Sequence, residues 1–210
     1  MVSSEKPILF CVCGPSGSGK SSLCQLVIEP IERLLLSVST TTRSPRKNEK
    51  EGEHYFFVDD ATFKERISQQ CFIEHAMFGA HRYGTERRNI EMAADSNSDL
   101  LLDIDVQGAR ELKKLHPENS VVVFVVPPSF DDLKKRLHAR GTEDTARQAQ
   151  RLEIARSELK QLASPAISDY ILVNDDLQES ALRLAAVISA ERLKFARQFG
   201  AFRSNYENLE

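Results

Sequence analysis

The stretch that most constrains this chain is an apolar run, Ile8-Leu9-Phe10-Cys11-Val12-Cys13, leading straight into Gly14-Pro15-Ser16-Gly17-Ser18-Gly19-Lys20-Ser21. An unbroken apolar run between Pro7 and Gly14 predicts a strand buried on both faces. The segment from Lys20 to Ile28 predicts a helix, stopped by Pro30. The octapeptide between them fits the pattern G-x-x-x-x-G-K-[ST] in its required setting, after a strand and before a helix. Glycines let such a loop curl until its backbone N–H groups converge on phosphate oxygens, in the positive field of the helix N-terminus. Lys20 can then reach β- and γ-phosphates, and the Ser21 hydroxyl can ligate Mg²⁺. A ligand-free glycine turn is the plainer reading, and the full match in a strand–turn–helix context argues against it. The loop is silent about a second substrate.

The remaining buried runs extend the same architecture. Leu100 to Ile104, Val121 to Val126 and Tyr170 to Val173 predict further strands, with helical patterns from Asp131 to Ala139 and from Glu153 to Leu162. A last helix places Leu177, Ala181, Leu184, Ile188 and Phe195 on one face. Strands alternating with helices predict an α/β fold around a parallel sheet. Residues 37–95 read differently, charged and with short alternating runs such as His54 to Val58, and predict an inserted, mixed α/β and partly antiparallel subdomain. Residues 131–164 form a second, arginine-rich helical excursion. The core is then assembled from 1–36, 96–130 and 165–210.

A net charge of −3 over 210 residues gives no global basicity, so neither a nucleic-acid polymer nor an acidic membrane is an expected partner. Anionic ligands must be met by local positive clusters. No stretch approaches the ~20 apolar residues of a membrane span. Cys11, Cys13, Cys24 and Cys71 lack paired metal spacing. They fit reduced packing thiols of a cytoplasmic protein, Cys11 and Cys13 facing one packed side of their strand.

Ser37-Val38-Ser39-Thr40-Thr41-Thr42-Arg43-Ser44-Pro45-Arg46 resembles the signature of guanylate kinases, and Gly52-x-x-Tyr55-x-Phe57 follows at that family's distance. Phe72-Ile73-Glu74, Tyr83-Gly84-Thr85, Asp103-Ile104-Asp105-Val106-Gln107-Gly108, Lys134 to Leu137, Arg140-Gly141-Thr142, Arg151-Leu152 and Val173-Asn174-Asp175-Asp176 then arrive in family order. The resemblance spans about residues 8 to 195, and its specificity lies in the joint order of motifs. Glu191-Arg192-Leu193 resembles the bacterial members. Arg82 departs from the pattern, standing where many relatives carry a tyrosine before the one at Tyr83.

The resemblance implies a phosphate-loop core, a GMP-binding insertion (37–95) and a lid (131–164). It implies transfer of the ATP γ-phosphoryl group to GMP with Mg²⁺ as Mg-ATP. ATP would lie on Gly14, Pro15, Ser16, Gly17, Ser18, Gly19, Lys20, Ser21, Ser22 and Asn174. Arg43, Arg46, Tyr55 and Tyr83 would hold the GMP phosphate, while Ser39, Glu74, Thr85 and Asp105, with Asp103, would complete the GMP site. Lys20, Arg136, Arg140 and Arg151 would act on the transferring group, and Ser21 and Asp103 would hold the metal.

The chemistry suits these residue types. The attacking phosphate oxygen is already ionised, so no general base is needed. The difficulty is charge, and catalysis must come from positioning and electrostatic stabilisation. Arginine stays charged and offers a flat fork to phosphate. Arg43 and Arg46, three apart beside Pro45, can converge on one phosphate, and a spacing of four puts Arg136 and Arg140 on one helix face. Lys134, Lys135, Arg147, Arg156 and Lys160 read instead as solvated helix faces. A carboxylate at Glu74 can accept from guanine N1–H and N2–H₂, whereas adenine would present a lone pair. Ser39 and Thr85 hydroxyls could donate to guanine O6 or merely cap turns; Tyr55 and Tyr83 could be packing residues, and Asp103 or Asp105 a buried structural carboxylate. Asp103 ends an apolar strand and Asp105 would share its side by alternation. The aromatic tail after Phe195 leaves room for a homo-oligomer. A peptide-binding scaffold domain, a sugar-phosphate kinase and a regulatory NTPase are the rival readings. The intact loop disfavours the first, and Glu74, Ser39 and Thr85 would have no purpose in the second. The third needs a residue to position a hydrolytic water, and none is evident.

Overall fold

The computed structural model describes residues 6–46, 48–139, 145–162 and 167–206. The chain opens with β1 (Leu9–Cys13), α1 (Lys20–Ile28) and β2 (Leu34–Leu36). It continues through β3 (Ser39–Thr41), β4 (Tyr55–Phe57), α2 (Asp60–Ser68), the hairpin of β5 (Phe72–Phe78) and β6 (His81–Glu86), and α3 (Arg88–Asp95). Next come β7 (Asp99–Asp103), α4 (Val106–Leu115), β8 (Ser120–Val126), α5 (Phe130–Ala139) and α6 (Thr145–Leu162). The last elements are β9 (Tyr170–Val173), α7 (Leu177–Arg192) and α8 (Phe195–Tyr206).

The main sheet runs β2-β7-β1-β8-β9, all parallel, with β1 at its centre. Strand periodicity divides its side chains between two cores. Phe10 and Val12 join Leu23 and Val27 of α1 and Leu184 and Ile188 of α7 on one face. Leu9, Cys11 and Cys13 join Ala93 of α3 and Ala109 and Leu112 of α4 on the other. Every residue of β1 is fully buried. Burying a Leu or Phe side chain to that extent contributes about 2 kcal/mol of transfer free energy. From β1 the chain passes to the β2 edge, returns to β7, then crosses β1 to β8. The C-terminal end of β1 is therefore a topological switch point, where connections leave in opposite directions and open a crevice.

A second sheet, β4-β3-β6-β5, lies within the insertion. β5 and β6 pair antiparallel, as do β3 and β6, while β3 and β4 are parallel. α2 covers this sheet through Phe63, stacked on Phe72 at 4.5 Å, and starts at Asp59, whose side chain accepts from the Thr62 N–H. α3 rests Ala93 and Ile90 against the main core.

Three elements differ from the sequence expectation, one of them α6, which begins at Thr145 rather than Glu153. β2 is a short edge strand of three residues, too brief for periodicity to separate from the preceding helix and loop. The last helix does not run through to Phe195. α7 ends at Arg192 and is capped by Leu193, whose N–H bonds the Ser189 and Ala190 carbonyls. The Gln198 side chain donates to the Arg192 carbonyl at 2.7 Å. Carbonyls that the helix itself leaves unpaired at its end are thereby satisfied. Phe195 instead opens α8, 76% exposed, in contact with Phe199. Among the described residues, no helix is long and apolar enough to cross a membrane.

Candidate active site

The loop between β1 and α1 is an anion cradle by construction. Gly19 caps α1 without a side chain and no acidic residue lies in the first turn. The helix N-terminal field is therefore not offset locally. Gly14 has φ 143°, and a Cβ there would stand 2.2 Å from the Val125 carbonyl oxygen. The loop can thus hug β8 only with glycine at this position. Lys20 Nζ folds over the loop and donates to the Gly14 carbonyl at 2.6 Å and the Pro15 carbonyl at 3.2 Å. Parallel pairing sets Val12 opposite Asp103, which brings the end of β7 beside the loop; Ser21 Oγ donates to Asp103 Oδ2 at 2.5 Å. On the outer side, Asn174 Nδ2 donates to the Ser18 carbonyl at 2.8 Å. Arg136 Nη2 donates to the Asn174 carbonyl at 2.8 Å. Gly17, Gly19, Ser22, Arg136 and Asn174 line a cavity of about 260 Å³ there.

The insertion faces the inner side of the same loop. β5–β6 register sets Glu74 opposite Thr85, and the Thr85 hydroxyl donates to Glu74 Oε1 at 2.7 Å. Burial pushes the Glu74 carboxyl up to about 7; the Thr85 hydrogen bond opposes the shift and the Asp105 charge adds to it. Desolvation of this kind disfavours the charged form of any carboxyl. Gly108 makes room for the group, since a Cβ there would lie 2.9 Å from Glu74 Cγ. Thr85 itself is fully buried, so its hydroxyl orients Glu74 rather than standing open to a base. Asp105 reaches the cleft by another route than strand alternation: β7 ends at Asp103, and Asp105 caps α4, accepting from the Gly108 N–H at 2.8 Å.

The two insertion arginines share one carboxylate. Arg43 Nη2 meets Glu49 Oε1 at 2.8 Å, while Glu49 Oε2 accepts from the Arg46 backbone N–H at 2.8 Å. The Arg43 hydrogen bond holds the Glu49 carboxyl down at about 2. The Arg43 guanidinium also lies 5.5 Å from the Tyr55 ring centre, and that ring meets Tyr83 edge-on at 6.0 Å. A cation at this range is attracted by the ring's electron-rich face. Arg82, the departure from the family pattern, pairs with Asp60 at 2.7 Å and ties β6 to α2.

Both sets meet in a cleft of about 530 Å³. Gly14, Ser16, Lys20 and Ser21 form one end; Ser39, Arg46, Tyr55, Glu74 and Tyr83 form the other; Asp103 and Asp105 lie between. Of the remaining expected residues, Arg43 is drawn to Glu49, and Ser18 is buried with its Oγ unpartnered among the described residues. Arg140 and the side chain of Arg151 lie outside the described residues. Lys134, Lys135 and Arg156 pair with acids three residues away, as solvated faces do. Sequence reasoning missed Glu49, Glu158 and the purpose of Gly108. Glu49 carried a local signal, lying three residues beyond Arg46; the other two depend on which helix packs where.

A model of the family described as guanylate kinase matches residues 5–191. The chain belongs to the guanylate kinase family. It is 40% identical over 196 residues to the guanylate kinase of Nitrosomonas europaea, covering 93% of this chain and 96% of that one. It is 42% identical over 192 residues to that of Escherichia coli K12, covering 90% and 91%. The crystal structure of guanylate kinase from Anaplasma phagocytophilum superposes with a TM-score of 0.74 at 34% identity, covering 94% of this chain and 92% of that chain. The parallel sheet flanked by helices is thus the fold of this kinase family.

Proposed function

We propose that this guanylate kinase transfers the γ-phosphoryl group of ATP to GMP, reversibly, giving ADP and GDP, and that it does so in the cleft between β1 and the insertion. The observation that carries this reading is one continuous cleft holding both a phosphate cradle (Gly14, Lys20, Ser21) and a hydrogen-bonding set fit for guanine (Ser39, Glu74). Polyphosphate would lie on the loop N–H groups, with Lys20 leaving the Gly14 and Pro15 carbonyls for phosphate oxygens. Arg46, Tyr55 and Tyr83 would fix the GMP phosphate, joined by Arg43 once phosphate replaces Glu49 as its partner. Glu74, oriented by Thr85, would accept from guanine N1–H and N2–H₂. Arg136 would brace the cradle from outside, through Ser18 and Asn174, with Arg140 and Arg151 proposed as further lid cations on the resemblance alone.

The Ser21 hydroxyl and the Asp103 carboxylate are oxygen donors set together at the cradle. Such a set fits Mg²⁺ entering with ATP. Held by Ser21 and Asp103, such an ion would neutralise phosphate charge. The chain's own residues supply orientation, water exclusion and the remaining positive charge. The buried thiols of Cys11, Cys13 and Cys24 fit a reducing, cytoplasmic setting. The test is ADP production from ATP and Mg²⁺ with GMP, AMP, CMP, UMP or no acceptor. Turnover confined to guanine nucleotides is expected; equal turnover with AMP would overturn the guanine assignment.

A further inference from the structure

The end of the main sheet opposite the cleft carries a second concentration of positive charge. A cavity of about 250 Å³ opens there, beside the first residues of β1 and β7. Lys6, Arg33, Arg192 and Arg197 line it, and among the described residues Asp99 is the one acid in its wall. Asp99 is already spent: Oδ1 accepts from the Ile8 N–H at 2.7 Å and Oδ2 from Arg192 Nε at 2.7 Å. Lys6, Arg33 and Arg197 have no ion-pair partner among the described residues. A neighbouring cavity of about 490 Å³ shares Lys6 and Arg197, but its other cations, Lys113 and Lys194, meet Asp169 and Glu191 at 2.8 Å. The uncompensated charge therefore gathers at the smaller cavity, in a chain whose net charge is −3.

The backbone is shaped to present that charge. Arg33 sits at φ 54° and Asn97 at φ 50°, both in the cavity wall. Such angles are uncommon for an arginine, whose Cβ then crowds the carbonyl oxygen. The Arg33 carbonyl accepts from the Asp99 N–H at 2.9 Å and from Arg192 Nη2 at 2.8 Å, which locks the turn. Like charges fixed round one concavity repel each other and focus a positive field into it. An anion with charge on more than one group relieves that repulsion, and guanidinium forks match phosphate oxygens. We propose that this cavity is a binding site for a compact diphosphate group, separate from the cleft and independent of the transfer assigned to it.

Titration of the isotopically labelled full chain with inorganic diphosphate, followed by nuclear magnetic resonance, tests it, with ADP as a parallel ligand. The amides of Arg33, Asn97 and Ser98 report this cavity, and those of Gly17 to Ser21 report the cradle. Saturable shifts at the first group are expected. Saturation with diphosphate alone assigns the site to the free anion; saturation with ADP as well assigns it to the diphosphate group wherever it is carried. Arg33→Asn, which keeps a residue tolerant of positive φ, combined with Arg197→Gln should weaken this binding about 10-fold, the scale of lost hydrogen bonds to charged groups. The cradle shifts and kcat should stay unchanged. Amides that do not move at this end, or that shift without saturating, overturn the proposal, while the cradle shifts judge the kinase reading separately. Undiminished affinity in the double variant overturns it too. Should that variant fail to fold, Lys6→Gln, on an exposed residue outside every helix and strand, takes its place with the same expected direction.

Discussion

The cleft has two proposed anion sites built on opposite plans. At the β1–α1 loop the binding groups are backbone N–H donors, fixed by glycine geometry and by a strand with every residue buried. At the insertion they are side chains, Arg43, Arg46, Tyr55 and Tyr83, standing on short strands and a loop and steadied in the free protein by Glu49. A backbone site is pre-formed and tolerant of side-chain change, except where a Cβ or a key charge is at stake. A side-chain site is adjustable, and its parts can be removed one at a time.

The sharpest way to test this contrast is to strip the cradle of its one cationic side chain. Lys20→Ala should lower kcat about 10³-fold, as loss of a preorganised charge does, while urea melts leave stability nearly unchanged. Gly14→Ala should do the reverse, because its Cβ would collide with the Val125 carbonyl. Strain and collision together should destabilise the fold by about 3 kcal/mol. A Gly14→Ala protein of wild-type stability would show that the loop does not need its close approach to β8. In the insertion, Glu74→Gln should lower kcat/KM for GMP about 10²-fold with the KM for ATP little changed, as loss of charge-assisted hydrogen bonds predicts. Equal losses for every acceptor would remove Glu74 from base reading.

The Glu74 carboxyl, raised to about 7 mainly by burial, adds a pH signature. Guanine donors favour the ionised carboxylate, so guanosine affinity should climb about tenfold from pH 6 to pH 8, and this slope should vanish in Glu74→Gln. The stability sign runs opposite. A carboxyl raised above its unfolded value of about 4.3 contributes stability that is full below that value and lost as pH rises through about 7. The smallest effect belongs to Glu49→Gln, where loss of the carboxylate that competes with phosphate for Arg43 should lower the KM for GMP about 3-fold. An effect as large as that of Lys20→Ala would mean that the side-chain site is as indivisible as the cradle.

The same contrast explains what the sequence could disclose. The cradle was legible because strand, glycine loop and helix are contiguous, and the boundaries of α1 coincide with the predicted Lys20 to Ile28. Glu74 and Thr85 could be named through family resemblance, yet their division of labour could not. Only the β5–β6 register reveals that Thr85 is buried behind Glu74 and works through it. Gly108 was quoted within a motif, but its purpose depends on α4 packing against β5, a contact between residues far apart in the chain. Arg43 and Arg46 were expected to converge on one phosphate; Glu49 takes the Arg43 guanidinium but only the backbone N–H of Arg46, and of the two only Arg46 lines the cleft.

The short link Asp103-Ile104-Asp105 acts as a ruler. One end is bonded to Ser21 at the cradle, and the other caps α4 beside Glu74. Two residues of backbone span at most about 7 Å, so this covalent gauge fixes how far the loop end of the cleft stands from the end proposed to read the base. Surface loops elsewhere can lengthen at little cost. A single residue inserted here would lengthen the gauge and put donor and acceptor phosphates out of line without disturbing either binding site by itself.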